Sequence, residues 1–226
     1  FPARSPNPEK VLGPLPDLGE EIALTFLQTL CDTIESIYPP GARITICADG
    51  NVFSDVVGVT DKQVAEYTAA LNKMIKKIGG RSLEVVNLPD LIRIDDMEAA
   101  RTELLDRYAE SIETLRERSR QHPHHQAIFN GIHRFISEDR LVLFPEKSKS
   151  QVKQESKAIA SEVIRRSNAW TRLIENCFPQ AIRLSIHPQH PHSHKLGIRL
   201  TKATDDWRTP WHGVILLQDN AYVLMS

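Results

Sequence analysis

One succession constrains this chain most: a capped amphipathic helix, a proline–glycine stop, and a β-branched run. Asp17 and Glu20 stand three apart at the head of a run whose apolar residues Ile22, Leu24, Leu27, Leu30, Cys31, Ile34 and Ile37 lie near helical spacing. The helix is predicted to run from residue 17 to about 38, where Pro39-Pro40-Gly41 stops it. Residues 43–48, RITICA, then read as a strand. Thr60 and Gln63 form a second capping box, and that helix ends at Gly79-Gly80. Residues 82–88 are again β-rich. Strand and helix alternate, which predicts an α/β fold with a parallel sheet.

Between these elements Asp49-Gly50-Asn51 has turn chemistry, and residues 52–59 read as a second extended piece. Residues 95–121 are charged and helical, with a solvated outer face. Residues 122–145 do not decide between element types, 145–150 form a polar loop, and 151–176 a helix. The pattern then changes to short β runs at 181–186, 196–200, 213–217 and 221–225. The expectation is a single α/β domain over residues 1–226, a Rossmann-like mixed sheet flanked by helices with a β-rich C-terminal part. Residues 1–16 hold five prolines and are expected to form an extended arm.

Composition excludes several classes. Lys plus Arg number 28 against 29 Asp plus Glu, so no bulk charge draws the chain to nucleic acid or anionic lipid, and an anion site must be local. No apolar run approaches the roughly 18 residues of a membrane span. The three cysteines, Cys31, Cys47 and Cys177, are scattered and odd in number, which fits a reducing cytoplasm rather than a disulfide framework. The first ten residues lack the apolar centre of a signal peptide. The start without Met and the strand-like finish both read as cut ends.

Four stretches can carry chemistry. In CADGNVFSDVVG, residues 47–58, Asp49 sits at a strand's carboxyl end, where open α/β sheets bind ligands, and Ser54 and Asp55 follow. A tight Asp-Gly hairpin with a surface Ser-Asp pair explains the same letters. In IRLSIHPQHPHSHKLGIRL, residues 182–200, strand alternation puts Arg183, Ser185 and His187 on one face, with Lys195 and Arg199 near the return strand. Read as a hairpin, this set suits a phosphate or carboxylate with His187 as acid/base, and a solvated edge hairpin is the plain alternative. In TPWHG, residues 209–213, Trp211 offers an aromatic wall and His212 a second imidazole, and core packing of Trp211 is the plain alternative. In ARSPNP, residues 3–8, a proline-stiffened arm presents Arg4, Ser5 and Asn7 as an anion clamp, and a disordered tail explains the same letters.

The loop of residues 187–194 holds four of the nine histidines, His187, His190, His192 and His194. Zinc sites favour imidazole, but Pro188 and Pro191 stiffen the loop, and no carboxylate or thiolate lies within it. No native metal is expected. His122, His124 and His125 read as a polar helix-end cap.

Together FPARSPNPEKVLGPLPDLGEEIAL, ITICADGNVFSDVVGV, IRLSIHPQHPHSHKLGIRL and TPWHGV resemble the dityrosine and pyoverdine-chromophore biosynthesis family, the isocyanide (isonitrile) synthases. The resemblance runs from Phe1 to about Val223, and the long opening resembles fungal members. It implies an enzyme of secondary metabolism that turns an amino acid's α-amine into an isocyanide. Ribulose 5-phosphate is the implied carbon donor, with no metal or other cofactor. Fusion or partnership with other biosynthetic domains is also implied. Under this reading His187 and His212 are acid/base groups, Asp49 or Asp55 orients the amine, and Lys195 assists at the ketone or binds phosphate. Arg4, Ser5, Ser54, Arg183, Ser185 and Arg199 are substrate ligands and Trp211 walls the pocket. Two rival readings remain: a metal-dependent hydrolase or lyase built on the His-rich loop, and a non-catalytic sugar-phosphate-binding domain.

Overall fold

The computed structural model describes residues 4–186, 193–198, 200, 214–218 and 221–225. Helix α1, Leu18–Ile37, begins at the expected capping box: Gly19 N–H donates to the Asp17 carboxylate, and Glu20 reaches back to the Asp17 N–H. Strand β1, Ile44–Cys47, follows, then α2, Gly50–Val57, and α3, Asp61–Lys77, which opens on the Thr60–Gln63 box. Strand β2, Leu83–Val86, leads into the short α4, Leu88–Ile92. Helices α5, Met97–Tyr108, α6, Ile112–Gln121, α7, Pro123–Leu143, and α8, Lys149–Cys177, complete the helical body. Four short strands follow: β3, Arg183–Ser185; β4, Lys195–Gly197; β5, Val214–Gln218; and β6, Ala221–Met225.

Strands β1 and β2 pair in parallel, with Ile44 opposite Leu83 and Ile46 opposite Val85. Those four side chains share a face by strand alternation. They pack on Leu24, Tyr67, Leu71 and Ile75 of α1 and α3, and on Ala23 and Leu27 of α1. Cys47 points the other way, against a core of Val52, Phe53, Leu88, Ala100, Leu104, Ala169, Trp170 and Leu173 drawn from α2, α4, α5 and α8. The parallel pair is thus sandwiched between helices, and the fold is mixed α/β.

The described residues correct some of these readings and complete others. Residues 52–59 are not extended. Asn51, Val52, Phe53 and Ser54 are buried along α2, and Gly58, at φ 81°, ends the helix in the left-handed region. Burial of the helix's whole first turn outweighs β-branched propensity there, and the Asp-Gly hairpin is not formed. The charged segment splits into α5 and α6, because Ser111 caps a new helix by accepting from the Thr114 N–H. The undecided segment is α7, with Pro123 at its first turn, where proline's missing N–H costs nothing. The stretch 182–200 is not a hairpin: β3 and β4 pair in parallel, Arg183 opposite Lys195. Finally, the described strands form three two-stranded sheets rather than one mixed sheet, and only β5–β6 is antiparallel.

The described part of the arm packs down. Arg4, Asn7 and Val11 are buried. The Asn7 amide donates to Asp139 of α7 at 3.0 Å, and Lys10 pairs with the same carboxylate at 2.8 Å. Among the described residues no helix is long and apolar enough to cross a membrane.

Candidate functional site

The carboxyl end of β1 brings together groups from four elements. Cys47 ends the strand, Asp49 is the N-cap residue of α2 and is partly exposed, and Arg183 of β3 and Lys195 of β4 stand side by side by register. Glu175 in the last turn of α8 binds the Arg183 guanidinium through a short ion pair. Burial pushes the Cys47 thiol up to about 11, despite nearby Arg183, which holds it down, while Cys177 adds to the rise. It is therefore a neutral thiol at physiological pH. Burial also lowers the Lys195 ammonium below its ordinary value, helped by Arg183 and opposed by Glu175. Two cations side by side, with one carboxylate bonded to the pair among the described residues, form a local anion-attracting spot in a chain with no net excess of positive charge. Ser185 is half-buried next to them on the same face of β3, and its carbonyl accepts from the Ile198 N–H at 2.8 Å.

Ser54 and Asp55 lie in a different constellation. Ser54 is 2% exposed and donates to Asp61 at 2.8 Å. Arg101 donates to the Ser54 hydroxyl at 2.8 Å and to the Asn51 carbonyl at 2.7 Å, and forms a short ion pair with Asp61. Asp55 takes a two-pronged contact from Arg166, at 2.6 and 3.0 Å, and Arg166 also holds Glu162 and the Val52 carbonyl. Burial opposes the charge of Arg166, but Asp55 and Glu162 outweigh it and raise its pKa. Residues 166 and 175 on α8 are roughly 14 Å apart along the helix axis, so this network and the Arg183–Lys195 pair occupy separate stretches of that helix.

Arg4 and Ser5 lie in a third place. The Arg4 guanidinium is bonded to Asp17 at 2.6 Å and to Glu20 through a shorter contact, and Tyr67 donates to Glu20 at 2.8 Å. Ser5 contacts Asp139 at 3.4 Å. Burial pushes the Glu20 carboxyl above its ordinary value, with Arg4 and the hydrogen bonds opposing. The expected anion clamp is therefore occupied by the chain's own carboxylates.

His187, Arg199, Trp211 and His212 lie outside the described residues, as do His190 and His192. Among the described residues no group of three or more His, Cys, Asp and Glu side chains is placed to hold a metal ion. Sequence reasoning missed Arg101, Arg166, Asp61, Glu162 and Glu175. Two of these carried a signal: Arg101 falls beside Ala100 and Leu104 on the buried face of α5, and Arg166 falls beside Ala169, Trp170 and Leu173 on that of α8. A cation on an apolar stripe implies a buried anionic partner.

Known proteins place the chain. A family model described as pyoverdine/dityrosine biosynthesis protein matches residues 1–226. The L-tryptophan isonitrile synthase AmbI2 of Fischerella ambigua is 46% identical over the whole chain, which spans 68% of that protein. The L-tyrosine isonitrile synthase of Pseudomonas aeruginosa is 43% identical, again over the whole chain, which spans 70% of it. The crystal structure of PvcA from Pseudomonas aeruginosa superposes with a TM-score of 0.94 at 43% identity, covering all of this chain and 75% of that one. These relatives are bacterial, and they lend no support to a fungal placement. The chain belongs to the pyoverdine/dityrosine biosynthesis family.

Proposed function

We propose that the chain is an isonitrile synthase that converts the α-amino group of an amino acid to an isocyanide, with ribulose 5-phosphate as carbon donor. The observation that carries this reading is the whole-chain match, in sequence and backbone, to proteins named as tryptophan and tyrosine isonitrile synthases. The same names make an aromatic amino acid the preferred substrate class. The whole chain acts as one domain, with the parallel β1–β2 pair as the nucleus of a Rossmann-like sheet.

The chemistry suits the site at the end of β1. The amine attacks the C2 ketone, water leaves and an imine forms. Proton removal, departure of phosphate and cleavage of both carbon–carbon bonds to C2 then leave the former ketone carbon on nitrogen alone. Arg183 supplies positive charge for the phosphate and the developing oxyanion, and Lys195 stands beside it to assist at the ketone. Asp49, at the strand's carboxyl end, orients the amine. His187 and His212 move protons, a task for which imidazole is the side chain of ordinary choice. Ser185, Arg199 and Trp211 complete the binding surface. Arg4, Ser5, Ser54 and Asp55 take a different role from the one their letters suggest: their partners are within the chain, and they hold the arm and α2 in place. No metal or separate cofactor enters this route.

The test is turnover by His187→Ala, His212→Ala and Asp49→Ala in proteins with the parent's melting temperature. Each is expected to lose about 10²-fold or more, the usual size of an acid/base contribution. Near-parental turnover in all three would sink the assignment.

A further inference from the structure

Lys195 differs from the other cations of the three constellations described above. Arg4, Arg101, Arg166 and Arg183 each have a carboxylate within ion-pair distance. The Lys195 ammonium has no hydrogen bond or ion pair among the described residues. It is half-buried, and the strand register sets it beside a guanidinium. Desolvation next to a second cation is the environment that turns a lysine from a point charge into a nucleophilic amine, because both effects favour the neutral form. Its lowered affinity for a proton agrees with that placement. A lysine whose task was only to hold phosphate would gain from staying fully charged. A guanidinium, with its planar fork of donors, is better suited to that task, and Arg183 supplies one.

We infer that Lys195 forms a covalent imine with the ketone of the phosphosugar and passes it to the amino acid by exchange of amines; this rests on the function proposed above. The neutral Nζ bonds to the carbonyl carbon, the carbonyl oxygen leaves as water with the two Nζ protons, and C=N forms. The amino acid's nitrogen then adds to the same carbon. The carbon–Nζ bond breaks, and the lysine regains its protons as a free amine. No oxidant or reductant is consumed. The gain is that a protonated imine is a better electrophile than the ketone, and Arg183 and the phosphate settle the sugar before the amino acid arrives.

The test is to incubate the full chain with ribulose 5-phosphate, reduce with borohydride, and map the adduct by peptide mass spectrometry, with isocyanide production assayed in parallel. The expected result is one adduct per chain on Lys195. Lys195→Arg should retain the parent's melting temperature but lose both adduct and turnover, and added small alkylamines should restore turnover to Lys195→Ala. Isocyanide production with no adduct, or with adducts scattered over surface lysines, would overturn the inference and leave the synthase reading standing. An adduct on Lys195 with no isocyanide from any amino acid would support the imine and overturn the synthase reading. Absence of both would overturn the inference as well.

Discussion

Buried charge decides much at the scale of single residues. Arg101 is the shared partner of Asp61, Ser54 and the Asn51 carbonyl, and removing it takes a donor from each and the cation from Asp61, leaving Asp61 only the Ser54 and Asn51 donors. Arg101→Leu is expected to cost about 2 kcal/mol in denaturant unfolding, below the range for breaking one side of a fully buried pair because Asp61 is part-exposed. Arg107→Leu, which loses an exposed pair with Glu103 and a contact over the Tyr108 ring, should cost less than about 1 kcal/mol. Equal losses would show that the Arg101 network carries no special weight. Glu20 makes a sharper test. Burial raises its folded-state pKa above the unfolded value near 4.5, so the folded state binds the proton more tightly. Its contribution to stability is then present when it is protonated, below the unfolded pKa, and is lost as pH rises through the folded pKa. Glu20→Gln should therefore gain stability relative to the parent as pH rises above about 4.5. The opposite trend would mean that Arg4 holds the carboxyl down.

At the scale of elements, the ends of helices carry the clearest consequences. Thr60 accepts from the Gln63 N–H at 3.2 Å, and Gln63 reaches back to the Thr60 N–H at 2.8 Å. Thr60→Ala is expected to lower stability by about 1 kcal/mol. Gly58 closes α2 at φ 81°, and an added Cβ would meet only Pro6 Cγ at 3.9 Å. The cost of Gly58→Ala is thus the backbone's alone, about 1–2 kcal/mol, and Gly58→Asn should recover part of it. If Ala and Asn cost the same in thermal unfolding, the left-handed conformation is not what the glycine supplies. These two sites also show what was legible. The capping boxes at Asp17 and Thr60 are local chemistry, written in side chains three apart, and both helix starts fall where they point. Helix α2 was not legible, because its β-branched residues argue for a strand, and only packing of Val52 and Phe53 against α5 and α8 residues makes it helical. The direction of β4 was also hidden. Spacing fixes which side chains share a strand face, but parallel or antiparallel return depends on the path of the intervening loop.

At the scale of the whole molecule, long-range ties hold the arm and the site. Asp139 on α7 gathers Asn7, Lys10 and Ser5 across more than a hundred positions of sequence. Asp139→Ala is expected to loosen the arm, seen as faster trypsin cleavage after Lys10 with the helical core still folded. Unchanged cleavage would mean that Arg4 alone pins it. The same long-range character explains how much of the site could be read beforehand. Lys195 and Arg183 were identifiable as charged residues flanking a strand pair. Ser54, Asp55, Arg4 and Ser5 looked equally available, because their buried partners lie at 61, 101, 166, 20 and 139. Only the fold reveals that those hydroxyls and charges are already bonded.

The central claim is that this chain moves one carbon from a keto-sugar phosphate onto the nitrogen of an amino acid. Ribulose 5-phosphate labelled with carbon-13 at C2 tests it directly, incubated with the full chain and each of the twenty amino acids. The account predicts a product from an aromatic amino acid that has lost both amine hydrogens and carries the label on a carbon bound only to nitrogen, seen by mass spectrometry and carbon-13 resonance. A folded chain that leaves every amino acid unchanged, or a product whose added carbon lacks the label, would contradict it.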